Sequence, residues 1–221
     1  MNTRRVGGRK ILWSIALVLL VAIAAILYHG HEPAYDGYWF VPVRVHLLRS
    51  QALDAANCRL SPQDVQRIFS RVNQIWAPAR INFEIESVVE EEAGDASPTL
   101  LEGDRISLAS VQRLRPAVSL TNNLIHIYYI HLLAANGVFQ NLDALFVQDT
   151  AQLEPVPGGI ETPLPRVTAH ELGHALGLFH RQAVTNLMAS GTAGLTLNIS
   201  EITTARVTVA TFPFARKSPA R

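Results

Sequence analysis

Residues 170–180 read His-Glu-Leu-Gly-His-Ala-Leu-Gly-Leu-Phe-His, and the local geometry of this stretch dictates how the rest of the chain must be arranged around it. Upstream, Thr162-Pro163 supplies an N-cap and a first-turn proline, and Val167, Leu172, Ala175 and Leu176 form an apolar flank, so the stretch sits on a helix. At about 100° per residue, the step from His170 to His174 leaves the two imidazoles roughly 40° apart in projection and one turn apart in height. Both can face one metal ion. Glu171 falls about 100° round from His170 and about 60° from His174, beside the pair rather than between its members. Gly177 stands where a glycine can take the left-handed conformation that ends a helix, and such a bend swings His180 back toward the same point.

Three neutral imidazoles leave a tetrahedral zinc ion one open position, which separates catalytic from structural sites. A water held there is acidified to a pKa of about 7, Glu171 can take its proton, and the resulting nucleophile can attack a carbonyl polarised by the same ion. Two histidines alone would fit a solvated helical face equally well. Three histidines, a glutamate and a glycine at fixed positions within eleven residues favour one catalytic Zn2+ ion, with His170, His174 and His180 as ligands and Glu171 as the base.

The pattern H-E-x-x-H-x-x-G-x-x-H resembles that of the metzincin clan of zinc metallopeptidases, and Met188, in Asn186-Leu187-Met188-Ala189, stands where that clan places a methionine-bearing turn beneath the metal. The resemblance implies a metzincin-like catalytic domain: a mixed, mostly parallel twisted sheet with an antiparallel edge strand, an active-site helix, and a small helical C-terminal part. It implies structural support from Gly177 and Met188. It also implies that a peptide substrate lies extended along the edge strand, here Gly137, Val138, Phe139 and Gln140. Two positions depart from the subfamilies. Ser190 stands where some members carry a metal-proximal tyrosine, and Arg181, after the third histidine, matches no subfamily marker. A cysteine thiolate blocks the metal in some members; Cys58 reads instead as a small buried residue.

The flanking sequence is that of an α/β domain. Val41–Leu48 alternates apolar and polar residues as a first strand does, and Ile81–Val89 reads as a second strand with one solvated face. Between them, Ser61-Pro62 starts a helix whose apolar residues run from Val65 to Trp76 and which ends near Pro78. The acid-rich stretch 90–104 reads as a solvated loop in preference to a calcium site. Leu124–Leu133 has the composition of a central strand, with His126 and His131 as hydrogen-bonded structural residues rather than ligands. A short edge strand at 138–140 and a return strand at 142–148 follow. Asn198 with Glu201 forms a capping box for a last helix that runs toward Pro213.

At the N-terminus, Arg4, Arg5, Arg9 and Lys10 precede an apolar run from Ile11 to Tyr28, whose eighteen residues would reach roughly 27 Å as a helix. This reads as a single-pass anchor with its N-terminus in the cytoplasm, or as a cleaved export signal ending near Ala22-Ile23-Ala24. Either places the catalytic part outside the cytoplasm. The expected organisation is therefore a basic end and anchor at 1–28, a linker at 29–37 and the peptidase-like domain at 38–221. Beyond the anchor, fifteen Lys and Arg against eighteen Asp and Glu give a net charge of −3, which offers nothing to nucleic acid. With one cysteine in the chain, no intrachain disulfide forms. The sequence thus points to a membrane-anchored zinc endopeptidase. The competing readings are a catalytically silent zinc-stabilised peptide-binding module and a zinc amidase acting on a cell-wall amide.

Overall fold

Val41, Val43, Val45 and Leu47 are all fully buried, because the strand that carries them, β1 (Trp39–Arg49), runs through the middle of a sheet rather than along its rim. We describe residues 37–120, 124–140 and 143–218 of a computed structural model. The parallel neighbours of β1 are β2 (Ile81–Glu92) and, on the other side, β5 (Ile125–Ile130). A two-residue hairpin pair, β3 (Leu101–Glu102) and β4 (Arg105–Ile106), lies off the sheet. Beyond β5 come β7 (Ala144–Gln148), again parallel, and β6 (Gly137–Gln140), antiparallel, giving the order β2-β1-β5-β7-β6. A last short strand, β8 (Arg216–Lys217), returns antiparallel to the start of β1.

One face of this sheet is covered by two helices. Helix α1 (Pro62–Trp76) begins with a complete capping box between Ser61 and Asp64, worth about 1 kcal/mol, and buries Val65, Ile68, Phe69, Val72, Ile75 and Trp76. Helix α2 (Pro163–Ala175) packs beside it, and the Trp76 indole N–H donates to the Ala169 carbonyl at 3.3 Å, pinning the two helices together. Thr162 does not cap α2 with its side chain; the start is set by extended backbone at Thr162 and by Pro163. Helix α3 (Ile199–Val209) closes the C-terminal part, capped reciprocally by Asn198 and Glu201, and Arg206 donates to the Ala79 carbonyl at 2.7 Å.

The opposite face is also covered, by the segment from Ala93 to Leu114, whose Leu100, Ile106, Val111 and Leu114 pack on Leu48, Tyr128, Ile130 and Phe146. This corrects in part the reading of 90–104 as a solvated loop: residues 90–92 belong to β2 and Leu100 is buried, while Glu102 and Asp104 are exposed. Strand β2 continues to Glu92 because Arg49 pairs with Glu90 at 2.9 Å and His46 pairs with Glu91, so the acids extend the sheet edge instead of leaving it. The central strand is shorter than its composition suggests. After Ile130 the chain turns away, and Leu133 forms a bridge with Ile106 of β4.

The expected membrane location is corrected: among the described residues, no helix is long and apolar enough to cross a membrane. The apolar run 11–28 on which that expectation rested lies outside the described residues.

Candidate metal centre

Gly177 has a φ of +79°, and it donates to the His174 carbonyl at 2.9 Å while Leu178 donates to the Gly173 carbonyl at 2.9 Å. These two bonds are the left-handed helix ending that glycine permits, and they stop α2 directly after His174, at Ala175. The reversed chain presents the Leu178 carbonyl to the Nδ1–H of His174 at 2.8 Å, and the Leu187 carbonyl receives the Nδ1–H of His170 at 2.8 Å. With each Nδ1 acting as donor, both Nε2 atoms are left as bare acceptors.

Those Nε2 atoms nonetheless stand 3.2 Å apart, and that of His180 lies 3.1 Å from that of His174. Acceptors with no proton to share are brought this close by a cation. Tetrahedral zinc with bonds of about 2.0–2.1 Å separates its nitrogens by roughly 3.3 Å, which the two separations from His174 match, and all three ligand atoms lie within 4.8 Å of one another, so the donor set fits zinc. Burial drives the His170 pKa down to about 3, outweighing its bond to Leu187, and burial lowers that of His174 also; both are neutral, as ligands must be. Among the described residues, these three histidines are the group able to hold a metal ion.

Below the histidines, Met188 is fully buried, and its fit depends on Gly173: a Cβ there would lie 2.5 Å from the Met188 sulfur. The turn carrying Met188 is anchored at several points. Asn186 accepts from the Met188 N–H at 2.7 Å, Arg181 donates its backbone N–H to the Met188 carbonyl at 2.9 Å, and Arg166 of α2 donates to the carbonyls of Leu187 at 2.7 Å and Ala189. Glu201, fully buried, ties these parts together by accepting from Asn186 at 2.9 Å and from Arg181 at 2.7 Å.

Glu171 is 5% exposed, and burial pushes its carboxyl up to about 8 against a hydrogen bond from the Phe139 backbone N–H. Strand β6 therefore touches the glutamate directly. A Cβ on Gly137 would meet the Glu171 Cγ and Oε1 at 2.8 Å, so only glycine allows the sheet edge to approach this closely. The histidines, Glu171, β6 and the residues after Met188 line one cleft of about 640 Å³, and Ser190 stands exposed at its rim. At the far end of β6, the Gln140 carbonyl accepts from Gln112 at 3.3 Å, which occupies part of the strand's outer edge.

Several singled-out residues lie elsewhere. His126 contacts His46 at 2.9 Å and His131 contacts Asp149 at 2.9 Å. Cys58 is in the core under α1, where burial pushes its thiol up to about 12 and keeps it protonated. Gly173, Arg166, Asn186 and Glu201 escape sequence reasoning as site residues. Only the capping-box spacing marks Glu201, and nothing in the sequence marks its bonds to Asn186 and Arg181.

No family model matches the chain, and no curated protein matches it. Among solved structures it is similar to archaemetzincin from Methanopyrus kandleri, at 15% identity and a TM-score of 0.50, covering 81% of this chain and 99% of that one. It is also similar to metalloproteinase-II from Bacteroides fragilis, at 13% identity and a TM-score of 0.51, covering 81% of this chain and 59% of that one. The histidine cluster therefore sits in a fold similar to those of archaemetzincin and metalloproteinase-II.

Proposed function

We propose that the chain is a metzincin-type zinc endopeptidase in which Nε2 of His170, His174 and His180 hold the metal and Glu171 is the general base. The observation that carries this reading is the meeting of three imidazole Nε2 atoms, two of them bare, with a buried carboxyl on the wall of one open cleft. Zinc, when bound there, supplies the Lewis acidity that polarises the scissile carbonyl and acidifies a water. Glu171 takes the proton from the attacking water and delivers it to the departing amine. The Phe139 N–H holds the carboxylate, and Gly137 leaves the space it needs. The exposed side of β6 orients an extended peptide by main-chain hydrogen bonds, and Met188 packed on Gly173 holds the helix bearing the first two ligands.

The test is zinc content and cleavage of an unfolded protein by the full chain, alongside Glu171→Gln. The variant should keep its zinc and lose at least about 100-fold in rate. Comparable cleavage by the variant would sink the mechanism. Stoichiometric zinc with no cleavage by either form would turn the reading toward a peptide-binding module.

A further inference from the structure

Arg166 lies on α2 one turn before His170 and is only 2% exposed. Its Nη2 donates to Leu187 and Ala189, and its Nε donates to the Gly194 carbonyl at 3.3 Å. All these partners are neutral. The two N–H groups of Nη1 have no hydrogen-bond partner among the described residues, and no carboxylate there is within ion-pair distance of Arg166, although the Glu171 carboxyl is near enough for the two charges to act on each other. Burial lowers the Arg166 pKa to about 10, which still leaves it charged at neutral pH.

A buried guanidinium with two unused donors is a costly arrangement, and a ligand that completes those donors would account for it. Arg166 lines the same cleft as His170 and Glu171, and it is the one Lys or Arg among the residues lining that cleft. Apart from Arg166 itself, Asn136, Ser190, Glu171 and the three histidines, the cleft lining is apolar. A guanidinium fork matches a carboxylate in shape and charge.

We propose that Arg166 is a specificity-determining residue that receives a carboxylate of the substrate, either an acidic side chain near the scissile bond or the free C-terminus of a short peptide. The inference rests on the endopeptidase-type reading of the cleft and narrows its substrates to acidic ones. The pairing is electrostatic, so Lys can replace Arg in part and a neutral residue cannot.

The test uses the zinc-loaded full chain and peptides in matched pairs: Glu against Gln at each position flanking the cleaved bond, and free acid against amide at the C-terminus. The two series separate the sources of the carboxylate. The acid member of one pair should be favoured about ten- to a hundredfold in kcat/KM, the range for a charge-assisted pair, and preference for the neutral member would overturn the inference. A glutamyl and a glutaminyl peptide hydroxamate, compared by calorimetry, give the same ratio as a difference in Kd without any turnover. Arg166→Lys should keep part of the ratio and Arg166→Met should bring it to one. Because Arg166 also holds the Met188 turn, Ser190→Asp serves as a second variant. It sets a carboxylate on the cleft wall beside Ala189 and should bring the ratio toward one with the guanidinium intact. Equal turnover in every pair would overturn the inference and leave the endopeptidase reading standing. A chain that cleaves nothing overturns that reading instead, and the hydroxamate pair then decides about Arg166: a difference in Kd supports it, and equal binding or none overturns it. A ratio that persists in both Arg166→Met and Ser190→Asp also overturns it.

Discussion

Gly173 and Gly137 do opposite things with the same absence of a side chain. At Gly173 the missing Cβ admits the sulfur of Met188 beneath the metal-binding helix, and Met188 has no exposed surface into which it could retreat. Gly173→Ala should therefore destabilise the fold by about 1–3 kcal/mol, the range for overpacking, despite alanine's better helix propensity. Denaturant titration measures it, and a stabilised variant would show that the contact is loose. At Gly137 the missing Cβ admits Glu171, so Gly137→Ala should displace the carboxylate and lower kcat while zinc content stays unchanged. Loss of zinc in parallel with activity would place the damage in the ligands instead. Residue-level legibility was uneven for a physical reason. The three histidines, Glu171 and Gly177 are separated by helical arithmetic alone. What Gly173 packs against is set by a turn fifteen residues downstream, and no local period carries that information.

Glu201 shows how an element can be legible while its task is not. The spacing of Asn198 and Glu201 foretold a capping box, and both reciprocal bonds are present at the start of α3. The same carboxylate also receives Asn186, whose Oδ1 holds the Met188 N–H, and Arg181, the residue after His180. Burial pushes its pKa up, but the bonds from Asn186, the Asn198 N–H and Arg181 outweigh this and hold it below the usual carboxylate range. A depressed folded-state pKa gives stability that is present above the unfolded value of about 4.3 and is lost as pH falls through the folded one. Glu201→Gln should thus cost about 1–3 kcal/mol at pH 7 and progressively less on acidification from about pH 4 downward. Thermal melts of both proteins from neutral to acid pH measure the gap. A gap that stays constant would mean that shape, not charge, makes these bonds. Strands were less legible than helices: β2 runs through its acidic tail because Arg49 and His46 on the neighbouring strand receive those acids, and pairing across a sheet leaves no mark along a single strand.

Across the whole molecule, the parallel sheet with its antiparallel edge followed from strand order and resemblance, whereas the cover on its second face did not. Residues 93–114 cover that face with short turns of three or four residues, which carry neither helical nor strand periodicity. The metal centre sits at the other side of the architecture, where it gathers α2, the chain after Gly177 and, through Leu187, the turn above Met188. A ligand that binds only the folded chain stabilises it by mass action, reaching about 4 kcal/mol when free metal is a thousandfold above its Kd. For a chain of this size each kcal/mol moves the melting temperature by about 2–4 °C. Removing zinc with a chelator should therefore lower Tm by roughly 8–16 °C, and restoring zinc should recover it. His180→Ala supplies the control, since it removes an exposed ligand and should lose the response to zinc while melting close to the chelated protein. If the wild-type melt ignores both chelator and zinc, the three Nε2 atoms do not meet around a metal, and the approach of the other two to within 3.2 Å of that of His174 has to arise from packing alone.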